Sequence, residues 1–136
     1  MAAAFPETRV LLSMLWIFVM LNYLYADVLS LMDPILLPQW VTGKVGGLTI
    51  TRPFLLAAAV MMEVPIAMTL LARILPRRSN RIANIAAGTF KTIAVTASLF
   101  VGEPNMHYVF FASIEIPTTI AIVILAYRWR EQRPAG

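Results

Sequence analysis

Four ionisable side chains interrupt otherwise apolar stretches of this 136-residue chain: Asp27, Glu63, Lys91 and Glu115. Such groups cost roughly 2.5–3.5 kcal/mol each inside a bilayer, so their presence points to ligand binding, ion handling or proton transfer. Two of the acids share a setting. Glu63-Val64-Pro65 and Glu115-Ile116-Pro117 stand 52 positions apart. A proline within a helix removes the hydrogen bond to the carbonyl four residues earlier, here Met61 and Ser113. Each freed carbonyl then sits about half a turn from a carboxylate, an arrangement suited to a cation, a water or an amine.

The remaining polar groups fall at helical spacing around these four. Tyr23 and Asp27 are four apart and share a face, with Asn22 beside them. Asn84, Gly88, Lys91, Val95 and Ser98 form one stripe, flanked by Thr92 and Thr96. Small residues on that stripe suit close helix packing, but packing does not call for an ammonium. Three acids against one base cannot all be charged in a low dielectric. At least one carboxyl is therefore expected to be protonated or to hold a cation.

The elements that carry these residues are membrane spans. Apolar residues make up 60% of the chain, charged ones only 13%, and the mean hydropathy is +0.76. A soluble domain of this size has too little interior for that much apolar surface. Runs at 10–31, 54–75, 82–101 and 108–127 each approach the roughly 20 residues a spanning helix needs. None alternates with a period of two, which excludes barrel strands. The expectation is one all-α domain over 1–136, a bundle of four transmembrane helices built from two tandem hairpins.

Measured from the outer end of each run, Asp27 lies about 6 Å deep, Glu115 about 10 Å, Glu63 about 14 Å and Lys91 about 15 Å. One polar cluster in the outer half of the bundle accommodates all four, if the lysine stem lifts its ammonium. Orientation follows from the basic residues. Arg9, Arg73, Arg77, Arg78, Arg81, Arg128, Arg130 and Arg133 flank one side, Lys44 and Arg52 the other. Eight against two places both termini and the 76–81 link in the cytoplasm and the 32–53 loop outside. In that loop, Pro34 to Trp40 is apolar enough to lie in the interface as a cover on the bundle. His107 and Tyr108 read as headgroup-level anchors.

The first run is too long for a secretory signal core and lacks a small-residue cleavage site, so it reads as an uncleaved anchor. Without cysteine and with one histidine, the chain offers no thiolate or multi-histidine metal site, and no cofactor is implied. The net charge of +4 and pI near 10.0 come from the cytoplasmic bias alone, so no nucleic-acid partner is expected. The lipid bilayer is the expected partner, and a 15.1 kDa bundle is of a size to form homo-oligomers.

With these motifs placed, the chain resembles small bacterial four-helix membrane proteins of the DoxX-like kind and, more closely, an uncharacterised bacterial family of about this length. The resemblance rests on Asn22-Tyr23-Leu24-Tyr25-Ala26-Asp27, Met62-Glu63-Val64-Pro65-Ile66-Ala67-Met68, Asn80-Arg81-Ile82-Ala83-Asn84 and Phe110-Phe111-Ala112-Ser113-Ile114-Glu115-Ile116. It implies a four-helix bundle in a bacterial inner membrane. Some DoxX relatives are associated with quinone-linked oxidation, a role this cysteine-free chain does not support.

Three functions compete. The first is binding or transport of a small ligand, cationic or lipid-like, by Glu63, Glu115, Lys91 and Asp27. Pro65, Pro117, Asn22, Tyr23, Thr92, Met61 and Ser113 then act in support. The second is an accessory subunit whose polar cluster cements a bundle or oligomer, with Glu–Lys pairs closed and dry. The third is an intramembrane enzyme that uses two facing carboxyls for proton transfer. An enzyme is the less favoured class, and no residue is assigned a catalytic role.

Overall fold

The computed structural model describes residues 7–102 and 104–130. In chain order the elements are α1 (Thr8–Met32), α2 (Leu36–Thr42), β1 (Lys44–Val45), β2 (Leu48–Thr49), α3 (Arg52–Ile74), α4 (Arg77–Ser98) and α5 (Met106–Arg128). Of these, α1, α3 and α5 are long and apolar enough to cross a membrane. Local chemistry sets their ends. Thr51 Oγ1 accepts a hydrogen bond from the Phe54 N–H at 3.2 Å, and Pro53 sits in the first turn of α3, where its missing donor costs nothing. Only Leu75 and Pro76 separate α3 from α4, so these two helices turn back on each other.

α4 departs from expectation. The run at 82–101 predicted the third crossing, but the helix starts at Arg77 and ends at Ser98. It takes in Arg78, Asn80 and Arg81, and it lacks the apolar composition of the other three long helices. The reason is its polar stripe. Asn80, Asn84, Gly88, Lys91 and Val95 are the residues it buries. Trp16 Nε1 donates to Asn84 Oδ1 at 2.8 Å, Asn84 Nδ2 donates to Asn80 Oδ1 at 2.6 Å, and Asn80 Nδ2 donates to the Ala72 carbonyl at 2.8 Å. One buried chain of hydrogen bonds thus joins α1, α4 and α3. On the other side, Thr92 Oγ1 and Thr119 Oγ1 lie 2.7 Å apart and link α4 to α5. At Gly88 the helices approach so closely that a Cβ would meet Val123 Cγ2 at 2.7 Å and the Thr119 carbonyl oxygen at 3.3 Å.

Around this seam, α4 packs most extensively on α5, α1 packs on both α3 and α5, and α3 packs on α4. Leu12, Trp16, Val19, Met68, Ala72 and Ile122 fill the core between them. The two ends of the molecule differ sharply. One gathers the arginines. Arg77 Nη1 donates to the Trp129 carbonyl at 3.2 Å, while Arg81 donates to the Ala126 and Tyr127 carbonyls at 2.9 Å each. These contacts cap, from α4, the open carbonyls that end α5. Arg133, counted among the basic residues of this side, lies outside the described residues.

The other end carries the 32–53 segment, which folds into a short helix and a hairpin. Asp33 Oδ1 accepts from the Ile35 N–H at 2.8 Å and leads into α2, which Gly43 stops at φ +75°. An antiparallel hairpin follows, pairing Lys44 with Thr49 and Val45 with Leu48. Two further contacts tie α1 to the start of α5: Ser30 Oγ to His107 Nε2 at 3.2 Å, and Asn105 Nδ2 to Asp33 Oδ2 at 3.4 Å.

Candidate functional site

Asp27 from α1, Lys91 from α4 and Glu115 from α5 line one cavity of about 140 Å³ in the half of the bundle nearer the 32–53 segment. Lys91 and Glu115 are only 3% and 5% exposed, whereas Asp27 is exposed at the rim. Because α4 ends at Ser98, Lys91 stands about 10 Å from that end, level with the acids it was expected to reach toward. Its ammonium does not close onto a carboxylate. Lys91 Nζ instead sits 4.2 Å from the centroid of the Tyr23 ring, over the negative face of the π system.

Two buried polar atoms on residues that line this cavity are left without a partner among the described residues: the Tyr23 hydroxyl and Glu115 Oε1. Both side chains are buried, at 6% and 5% exposure. A buried, unpaired polar atom costs about 1–3 kcal/mol, so such atoms rarely persist without a role.

Glu63 does not join this group. It is exposed on α3 and does not line the cavity, although its neighbours Met61 and Met62 do. The physical reason lies in the helix period. Residues two apart point about 200° away from each other, and in α3 it is Pro65 that packs inside, fully buried. In α5 the order is reversed: Glu115 is buried and Pro117 is exposed. The two Glu-X-Pro units therefore present opposite members to the interior.

The supporting residues divide similarly. Tyr23 and Met61 line the cavity, whereas Ser113 is exposed and its hydroxyl donates to the Phe110 carbonyl at 2.6 Å. Asn22 Nδ2 donates to the Phe18 carbonyl of its own helix at 2.8 Å, so it bridges no helices. Thr92 serves the α4–α5 seam.

Tyr108 belongs to the site although its position at the start of a run suggested a headgroup anchor. Its hydroxyl is hydrogen-bonded to Ser98 Oγ, and both residues line the cavity. The signal was present in the spacing: Tyr108, Ala112, Glu115 and Thr119 fall on one helical stripe. Ser98 and Tyr108 also line a second, larger cavity of about 490 Å³ beneath α2 and the hairpin, walled by Leu36, Trp40, Phe54 and Val101. The hydrogen-bonded pair thus stands between the two cavities.

No group of three or more histidine, aspartate or glutamate side chains is placed to hold a metal among the described residues. No curated protein and no solved structure matches the chain. A family model does match it, over residues 5–136, nearly its whole length. The chain belongs to the family described as a family of unknown function, DUF6326.

Proposed function

We propose that this protein is a multi-pass membrane protein that binds or transports a small ligand in the Asp27–Lys91–Glu115 pocket. In this reading α4 is the fourth crossing, its polar stripe shielded from lipid by α1, α3 and α5. The arginine-rich end and both termini face the cytoplasm, and the 32–53 segment lies outside. A bacterial inner membrane and a DoxX-like relationship belong to the same proposal, and sequence motifs support them. The ligand enters from the outer vestibule past Tyr108 and Ser98.

One observation carries the reading. Tyr23 and Glu115 keep polar atoms buried and unpaired beside a cavity with room for several waters or a small polar group. A hydrogen-bond-donating head, an ammonium or a hydroxyl, suits the Glu115 carboxylate, and Leu36, Trp40, Phe54 and Val101 of the outer vestibule suit the apolar part of a lipid-like molecule. The test is to purify the protein in mild detergent and identify co-purifying small molecules by mass spectrometry. Wild type retains a species that Glu115→Gln and Lys91→Met both lose while staying folded. Equal retention by both variants overturns the reading.

Exposed Glu63 favours a second reading, an accessory subunit or homo-oligomer. A carboxyl on an outer helix face within a span is costly in lipid and is relieved by a neighbouring chain. Two carboxyls, Asp27 and Glu115, share the cavity, as an intramembrane proton-transfer enzyme requires. The small volume beside them argues against a large flat substrate.

A further inference from the structure

At the end of the molecule opposite the Asp27–Lys91–Glu115 pocket, α1, α4 and α5 surround an open cavity of about 560 Å³. Its lining includes Arg9, Arg77, Arg128, Arg130, Trp129 and Glu7. Among the described residues of this lining, Arg9, Arg128 and Arg130 stand with one carboxylate, Glu7, an excess of positive charge that suits an anion. The arginines do not all play the same part. Arg77 is held by the Trp129 carbonyl and forms the wall. The guanidinium groups of Arg9, Arg128 and Arg130 make no hydrogen bond with the other described residues. Guanidinium is planar, permanently charged and shaped for two-pronged contact with phosphate oxygens, which makes phosphate the best-matched anion class.

The lining also grades in polarity along the helix axis. Leu125 belongs to the same cavity and lies about one turn further into α5 than Trp129. Trp129 itself is half-buried at the end of a candidate span, the depth at which an indole meets the headgroup region. A free anion has no use for that apolar floor, whereas a lipid phosphate with acyl chains beneath it does. Basic recesses between helices on the cytoplasmic side are suited to anionic headgroups.

We infer that this cavity binds the phosphate of an anionic glycerophospholipid, held by Arg9, Arg128 and Arg130, with an acyl chain running past Leu125. The inference is independent of what occupies the other pocket and rests only on the membrane-spanning reading of α1 and α5.

The experiment is native mass spectrometry of detergent-purified protein titrated with phosphatidylglycerol, phosphatidylcholine or inorganic phosphate. Wild type is expected to bind phosphatidylglycerol in preference to phosphatidylcholine. Each arginine-to-glutamine change in the trio should weaken the anionic lipid by about fivefold, and the triple variant should show no headgroup preference. Arg73→Gln/Arg78→Gln removes two charges from the same end outside the cavity and should leave the preference in place. Arg130→Gln, two residues beyond α5, keeps the test valid should the triple variant misfold. Three results overturn the proposal: the trio variants keep the preference, the Arg73/Arg78 pair abolishes it equally, or millimolar inorganic phosphate displaces the lipid.

Discussion

Glu63 and Glu115 face opposite ways on their helices, Glu115 into the bundle at 5% exposure and Glu63 out of it, although each stands two residues before a proline. Their substitutions should therefore part company. Glu115→Gln removes a carboxylate that burial makes costly, so stability should hold or rise by about 1 kcal/mol while ligand retention is lost. Glu63→Gln should leave retention unchanged and instead shift any oligomer toward monomer. Thermal unfolding, co-purification and sedimentation on the same two variants decide it. Loss of retention in Glu63→Gln alone refutes the assignment of Glu115 as the ligand-facing acid.

The prolines give a second contrast. Pro117 is exposed, so Pro117→Ala restores a helix hydrogen bond to Ser113 and disturbs no packing. It should stabilise the protein by roughly 1 kcal/mol or more, short of the ~3 kcal/mol that proline costs in an isolated helix. Pro65 is fully buried, so Pro65→Ala combines the same gain with a void in the core. Its net gain should fall below that of Pro117→Ala when both are melted in the same detergent. The reverse ranking would mean that α3 is rotated relative to the structure described above.

The Trp16–Asn84 hydrogen bond tests the polar seam. Trp16→Phe keeps most of the buried ring but removes the only donor reaching Asn84 Oδ1 at 2.8 Å among the described residues. An orphaned buried acceptor should cost about 1–3 kcal/mol. The mutant is expected to melt earlier than a surface control such as Leu24→Ala, which sits exposed on the same helix.

Helix approach at Gly88 is equally testable. Gly88→Ala places a methyl 2.7 Å from Val123 Cγ2, so α5 must shift or Val123 must change rotamer. Overpacking of this kind costs about 1–3 kcal/mol. Adding Val123→Ala should recover part of the loss, with the contact to the Thr119 carbonyl at 3.3 Å limiting the recovery. A double-mutant cycle without positive coupling would contradict the close α4–α5 contact.

Topology can be read with cysteines, because the chain has none of its own. Ser79 lies at the arginine end of α4, Gly102 just beyond its other end, and both are exposed. Ser79→Cys and Gly102→Cys should label from opposite sides of intact cells with an impermeant reagent, Gly102→Cys from outside. Labelling from one side would show that α4 does not cross.

Much of the fold was legible locally. Apolar runs of spanning length, Pro53 in the first turn of α3, and the break after Ile74 at Pro76 depend only on neighbours in sequence, and the extents of the helices α1, α3 and α5 agree with them. The stripe Asn84, Gly88, Lys91 and Val95 was also readable, since helical period alone puts those residues on one face, and that face is buried. What no local pattern decided was the rotation of α3. With apolar residues all around it, hydropathy does not choose between Glu63 inward and Pro65 inward, and the choice came from packing against α1 and α4. The same holds for Tyr108. A tyrosine at a span's end reads as an interface anchor until the fold of 32–53 encloses it and Ser98 arrives from α4 to meet its hydroxyl. The residues able to do chemistry were evident from their cost in a membrane, but which of them share one pocket depended on helix rotations fixed by contacts far apart in the chain.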